Sequence, residues 1–354
     1  MEEESQQPVP EPNNELHKRK SLTKISLLII NFTMMVVGTA GSPLILRLYF
    51  LKGGKRIWLS SWLQTGGWPL ILIPLSILYL RRGDKKLVVM SPSLFIYCAF
   101  IGVLTGLDDW LYAYGISYLP VSTSSILIST QLAFTALFAF LLVRQRFTAY
   151  SVNAVVLLIV GAAMLGINSN GDRPEGESKE KYYLGFGMTL GAAALYGLVL
   201  PLVELSQMKY EKERVPVTYR LVMEMQLVMG FFGTAFCTVG MIFNKDFTAI
   251  RHEAQEFGLG ETRYYIVLVG CAILFQCFFL GTVGAIFYGS SLLAGVIITV
   301  LLPITEVLAV AFFSEPFSSG KGVALGLSLW GFASYFYGEI FKAKKARENV
   351  NGTT

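Results

Sequence analysis

Ten long apolar runs divide the chain, at 25–46, 57–80, 93–115, 120–143, 149–167, 183–206, 216–243, 262–288, 291–313 and 322–341. Each approaches the roughly 20 residues that an α-helix needs to cross a hydrocarbon core. No alternation of polar and apolar residues persists within them, which argues against membrane strands. Backbone in lipid must satisfy its own polar groups, and a helix does so within one segment. Composition agrees: 53% of the 354 residues are hydrophobic and only 15% are charged, where a soluble chain carries about a quarter charged. The expectation is an all-α membrane protein with ten transmembrane helices.

The stretch from Ile116 to Thr148 returns without a gap as Ile286 to Ser318. Ile116, Tyr118, Ile128, Leu132, Thr135, Ala139 and Phe147 recur as Ile286, Tyr288, Ile298, Leu302, Thr305, Ala309 and Phe317. The register continues with Ala154, Leu157, Gly161 and Ala163 on Ala324, Leu327, Gly331 and Ala333. One offset held across two spans and their loop points to an internal duplication. Five spans per copy is an odd number, so the second copy enters the membrane upside down. The fold expected is therefore two inverted five-helix repeats. Its divisions are a disordered tail over 1–24, a first repeat over 25–168, a polar linker over 169–182, a second repeat over 183–341 and a tail over 342–354.

Lys and Arg concentrate in the tails and in alternate loops, including Lys20, Lys24, Arg81, Arg144, Arg146, Lys209 and Lys342. This bias sets both termini on the cytoplasmic side of a multi-pass protein. Lys52, Lys55 and Arg56 dissent, in a short loop expected outside, and such a local conflict suggests a specific task for these charges. The net charge of +5 follows from this topology and gives no reason to expect nucleic acid. The four cysteines all lie within apolar runs, so no disulfide framework is expected. Only His17 and His252 are present, both outside the runs. With no HExxH, GxSxG or phosphate-loop pattern, no enzyme, cofactor or metal site is expected.

Polar groups inside apolar spans are costly, so each calls for an explanation. Asp108 and Asp109 stand in the third span beside Trp110, Tyr112 and Tyr114. Asp108 and Tyr112 share a helix face. Asp108 can face a cavity, pair with Arg47 or act as a helix cap. Arg47 itself, near a span end, reads first as a side chain that snorkels to the interface. Ser122, Ser125 and Ser129 form a stripe in the fourth span, either lining a cavity or bonding their own backbone. Gln131 follows them. Pro43, Pro201 and Pro303 each remove a backbone donor and are expected to bend or open their helices. Glu204 and Glu306 follow the last two prolines by three residues. An intramembrane carboxyl can take a proton from one side and release it to the other. Glu306 is the deeper and the first choice. Glu204, nearer an end, reads equally as surface chemistry. The loop Asn168–Lys181 reads as a solvated linker.

The chain resembles the plant purine permease family of the drug/metabolite transporter superfamily. The resemblance rests on Gly53-Gly54-Lys55-Arg56-Ile57-Trp58, Gln64-Thr65-Gly66-Gly67-Trp68-Pro69 and Thr105-Gly106-Leu107-Asp108. It continues through Leu119-Pro120-Val121-Ser122-Thr123-Ser124-Ser125, Gln131-Leu132-Ala133-Phe134, Leu200-Pro201-Leu202-Val203-Glu204-Leu205, Leu302-Pro303-Ile304-Thr305-Glu306-Val307 and Leu329-Trp330-Gly331-Phe332. Where some members have Asn after the third-span Asp, this chain has Asp109. The resemblance implies proton-coupled uptake of purine bases and cytokinins across the plasma membrane, by repeats that rock around a central cavity. The alternative within the resemblance is an alkaloid or vitamin B6 uptake permease of the same family.

For a flat heterocycle, Trp62, Trp110 and Tyr112 are the expected stacking platforms, and Gln64, Asp108 and Gln131 the readers of its edge. An amide donates and accepts together, which suits a purine edge. Glu306, Glu204 and Asp109 are the expected proton carriers. The partners expected are a purine-like small molecule, protons and the lipid bilayer, with the oligomeric state open. A sugar-phosphate exchanger would need cations deep in several spans, and only Arg47 and Arg220 come near. A receptor that binds without transport is the rival of another class.

Overall fold

The computed structural model describes residues 12–82, 90–144, 149–167, 178–212, 218–314, 317 and 319–351. Their regular structure is helical: α1 (Pro12–Leu51), α2 (Ile57–Thr65), α3 (Leu72–Arg82), α4 (Pro92–Tyr118), α5 (Val121–Ser129), α6 (Gln131–Val143) and α7 (Ala149–Ile167) come first. After these come α8 (Lys179–Lys212), α9 (Tyr219–Phe243), α10 (Asp246–Glu256), α11 (Glu261–Tyr288), α12 (Ser291–Phe313) and α13 (Ser319–Asn351). Eight spans among the described residues are helical, long and apolar enough to cross a membrane: 25–51, 57–80, 92–118, 121–143, 179–211, 219–243, 261–288 and 291–313. The fifth apolar run forms α7, whose stretch Ala149–Gly161 is apolar but shorter. The tenth lies within α13. Helix α1 begins at Pro12, inside the segment expected to be a disordered tail. Its Glu-Leu-His-Lys-Arg-Lys run is rich in good helix formers, which the bias towards Glu and Pro further upstream concealed. Arg146, Phe147, Glu315 and most of the 169–182 linker lie outside the described residues.

Two spans are interrupted. In the second, α2 stops at Thr65 and a 3₁₀ turn over Trp68–Ile71, with Pro69 in its first turn, leads into α3. Gly67 is required there, because a Cβ on it would lie 2.4 Å from the Ala272 carbonyl oxygen of α11. In the fourth span, α5 and α6 are separated by Thr130 alone. The hydroxyls of Ser129 and Thr130 donate to the carbonyls of Ile126 and Leu127, at 2.6 and 2.7 Å. These side chains supply donors where the helical ladder lapses.

At Pro43 and Pro201, by contrast, the helix runs on. Packing explains the first of these. The carbonyl of Thr39, which Pro43 deprives of its donor, lies 3.4 Å from the Thr305 hydroxyl on α12. A neighbouring helix thus replaces part of what the proline removes.

Helix α1 packs on α11 and α12, α8 on α4 and α6, α4 on α9, α11 on α2, and α7 on α13. The main buried cluster joins residues of α1, α2, α4, α8, α9, α11 and α12 into one core.

The bundle has two chemically distinct ends. At the end carrying α10, Arg47 is buried and donates from Nη1 to the carbonyls of Ile116 and Ser117, at 2.9 and 3.3 Å. It closes the C-terminus of α4, whose carbonyls favour a cation, and so does not snorkel to water. The charged loop finds its task here too. Arg56 approaches Asp246 at 3.6 Å and Glu253 at 3.9 Å, and the Lys55 backbone amide donates to Glu253 at 3.0 Å. The hydroxyls of Tyr49 and Tyr264 also donate to Glu253, so one carboxylate ties α1, α11 and the loop to α10. Burial pushes the neighbouring Asp246 carboxyl above the usual carboxylate range. At the opposite end Glu224 pairs with Arg220 at 3.1 Å and accepts from the Met90 amide at 3.1 Å, just ahead of α4.

Candidate functional site

Where the interrupted spans meet α4, α8 and α11, the helices leave a cavity with about 600 Å³ of atom-free space, part of it open. Its polar wall comes from Thr39 and Ser42 of α1, Gln64 of α2, Asp108, Asp109 and Tyr112 of α4, Ser125 of α5 and Gln131 of α6. Its aromatic wall is Tyr196 of α8 with Phe275, Phe278 and Phe279 of α11.

Four side chains on this wall carry buried polar atoms without a hydrogen-bond partner among the described residues. They are Thr39 Oγ1, Asp108 Oδ1, Asp109 Oδ2 and Gln131 Nε2, on residues only 4%, 7%, 2% and 2% exposed. An unpaired buried polar atom costs roughly 1–3 kcal/mol, and four of them gather around this one cavity. Gln64 is committed in part, since its Nε2 donates to the Asp109 carbonyl at 3.0 Å. That bond ties the end of α2 to the acidic turn of α4.

Of the nine residues singled out from sequence, Gln64, Asp108, Asp109, Tyr112 and Gln131 come together here. The other four do not line the cavity. The Trp62 indole donates to the Thr238 hydroxyl at 3.0 Å, on α9. Trp110 stacks on Trp58 with centroids 5.3 Å apart, in an aromatic cluster with Phe236 and Tyr114. Glu204 accepts from the Ser291 amide at 2.8 Å and from the Ser291 hydroxyl, holding the start of α12. Glu306 is 1% exposed on α12. Of the serine stripe, Ser125 lines the cavity, and Ser122 accepts from the buried Lys321 ammonium at 2.7 Å.

Sequence reasoning missed Tyr196 and the three phenylalanines. An aromatic ring in an apolar span looks alike whether it faces lipid or a cavity. The one signal was local: Tyr196 follows Gly191, Ala192, Ala193 and Ala194 and precedes Gly197, the small residues of a tightly packed face. The rings of Tyr196 and Phe278 lie 5.6 Å apart and tilted by 32°, beside the edge-to-face pair of Phe278 and Phe279 at 5.1 Å.

Replacing Gln131 by Leu removes a donor and acceptor from this wall without opening space. If the amide reads a ligand edge, the expected loss of apparent affinity is about tenfold. Binding and melting temperature measured on the same purified protein check this. A lower melting temperature with unchanged affinity would assign Gln131 to helix packing.

Membrane-spanning helices around a buried cavity lined by polar and aromatic side chains define a multi-pass membrane protein with an internal pocket. Comparison with known proteins narrows the class. A family described as purine nucleobase transmembrane transport matches residues 26–345. "Purine permease 3" of Arabidopsis thaliana is 48% identical over 329 residues, spanning 91% of this chain and 93% of the relative. "Purine permease 2" of the same plant is 48% identical over 342 residues, spanning 92% and 95%. "Probable purine permease 5" is 35% identical over 330 residues, spanning 93% and 90%. The chain belongs to the purine permease family, whose named relatives are transporters rather than enzymes.

Proposed function

We propose that this protein carries purine nucleobases across a membrane, binding them in the cavity between α4, α6, α8 and α11. The observation that carries the reading is the lining of Asp108, Asp109 and Gln131, three buried groups with unmet hydrogen-bonding capacity in a cavity shared with aromatic rings. A purine offers flat faces to stack and an edge of alternating donors and acceptors. Stacking on an aromatic ring contributes about 1–3 kcal/mol per base in nucleic-acid-binding proteins. Tyr196 and Phe278 supply the faces, and Gln131 and Asp108 the edge contacts. Cytokinins, which are substituted purines, fit the same chemistry.

Alternating access by ten helices in two inverted repeats is part of the proposal. Support comes from contacts that recur when the repeats are exchanged. Helix α1 packs on α11 and α12, while α8 packs on α4 and α6. Thr305 meets the carbonyl that Pro43 frees, and its repeat partner Thr135 lies against Gly197, whose carbonyl Pro201 frees. A Cβ on Gly284 would strike Asn31, and one on Gly115 would strike Thr189. Such pairing is what a two-fold relation in the membrane plane requires.

Proton coupling completes the reading. Asp108 and Asp109 stand side by side at the substrate, and a carboxyl there can trade a proton against substrate binding. Glu306 is the alternative carrier. In this reading import runs across the plasma membrane, with both termini cytoplasmic.

The test is uptake of labelled adenine by proteoliposomes holding the purified protein. An acidic exterior should accelerate uptake, and a protonophore should reduce accumulation to equilibrium. Saturable binding without any flux would favour a receptor instead. Glu306→Gln and Asp109→Asn then identify the carrier, which is the variant that still exchanges adenine yet no longer accumulates it.

A further inference from the structure

Building on the alternating access proposed above, we infer that Arg47 and Glu204 are the latches of two gates, each of which must let go before the cavity opens at its own end. Neither side chain lines the cavity. Each lies just beyond it, about one turn after the proline of its helix. Arg47 follows Pro43 by four residues on α1, and Glu204 follows Pro201 by three on α8.

Both reach the equivalent junction, between the third and fourth spans of a repeat. In the first copy α4 ends at Tyr118 and α5 begins at Val121. In the second, at the same offset as the duplication, α11 ends at Tyr288 and α12 begins at Ser291. Arg47 donates to the carbonyls of Ile116 and Ser117, in the last turn of α4. Glu204 accepts from the amide and hydroxyl of Ser291, the first residue of α12. The opposite charges follow from the opposite helix ends. The last carbonyls of a helix lack donors and favour a cation, while its first amides lack acceptors and favour an anion.

The two junctions stand at opposite ends of the bundle. Tyr49, two residues beyond Arg47, donates to Glu253 of α10, which places the first latch at the α10 end. Helix α11 starts from that end at Glu261 and runs 28 residues, about 40 Å, to the junction that Glu204 holds. The cavity lies between. On α1 it takes Thr39, Ser42 and Pro43, short of Arg47, and on α8 it takes Ala192 and Tyr196, about two turns short of Glu204. A carrier open at both ends at once would leak. Latches on equivalent helices let one end part while the other holds, and weakening one shifts the population towards the state open there.

The test reads both ends in the purified full-length protein without substrate. Ala113 of α4 and Ala294 of α12 are buried, three residues from Ile116 and from Ser291. They share helix faces with the cavity residues Asp109 and Ile298, four positions away. Ala113→Cys and Ala294→Cys report opening by the rate at which a water-soluble thiol reagent labels them, over the parent with its four native cysteines. Arg47→Gln is expected to raise the rate in the Ala113→Cys protein about tenfold and to lower it in the Ala294→Cys protein. Glu204→Gln should do the reverse, and combining the two should return the ratio of rates towards wild type. Loss of a merely structural bond would loosen the bundle without a preferred side. Labelling that rises at both positions, or changes at neither, therefore overturns the latches. If either glutamine variant does not fold, Arg47→Lys and Ser291→Ala carry the test, with shifts of about threefold in the same directions. Labelling needs no purine, so sided shifts in a protein that takes up no adenine would overturn the substrate reading and uphold the latches.

Discussion

Asp108→Asn is expected to lower adenine uptake at limiting concentration by about 10- to 100-fold while leaving the protein folded. Leaving a buried hydrogen-bond partner unpaired costs about 1–3 kcal/mol, and each 1.4 kcal/mol is a factor of ten. Asp108 lines the cavity, and its Oδ1 is buried with no partner among the described residues. Its bonding capacity is therefore held for something that enters. The stability effect has the opposite sign from that of a structural acid. An unpaired buried carboxyl destabilises the fold, and Asn keeps the size while removing the carboxyl. The melting temperature should stay level or rise. Uptake and thermal melting of one preparation decide the matter. A fall in melting temperature with an unchanged KM would make Asp108 a structural residue.

The residues legible in the sequence share one property, which is that their presence in an apolar span is expensive. Asp108, Asp109, Gln131 and Gln64 stood out against their neighbours by cost alone, and the cavity collects all four. Cost does not tell where a side chain is answered, however. Glu204 is equally conspicuous, yet its carboxylate is used up by the amide and hydroxyl of Ser291 at a helix start. Arg47 is similar: the carbonyls that hold it belong to α4, 69 and 70 positions along the chain, and nothing local to Arg47 reveals them.

The two tryptophans lie elsewhere for the complementary reason. Trp62 and Trp110 sit close to the recognised polar residues in sequence, but helical rotation sends them to α9 and to Trp58. Besides Tyr112 of α4, the rings that line the cavity lie on α8 and α11, far along the chain. Helix breaks were also misplaced. Proline removes one hydrogen bond, and a packed neighbour such as Thr305 can answer the freed carbonyl. In the fourth span the break falls instead at Ser129 and Thr130, whose hydroxyls compete for the backbone.

The largest expected effect on stability is at the contact between α1 and α11. A Cβ on Gly38 would lie 2.4 Å from the backbone nitrogen of Phe278 and 2.6 Å from its Cα. Backbone atoms of a packed helix cannot step aside as a side-chain tip can. From the other helix, a Cβ on Gly281 would lie 2.7 Å from the Met35 nitrogen. Both helices approach through glycine, the arrangement that lets membrane helices gain dispersion energy without help from water. Gly38→Val must therefore part them, at a cost of about 1–3 kcal/mol or more. Because Phe278 also lines the cavity, the displaced helix should carry a wall of the site with it. The variant is expected to melt well below the wild type and to bind adenine more weakly. Gly187→Ala on α8 is the control, since its Cβ would meet nothing within 4 Å. There the gain in helix propensity, about 0.5–1 kcal/mol, should leave the melting temperature equal or higher. Equal melting of Gly38→Val and wild type would mean that α1 and α11 do not pack at this distance, and the cavity wall would have to be redrawn.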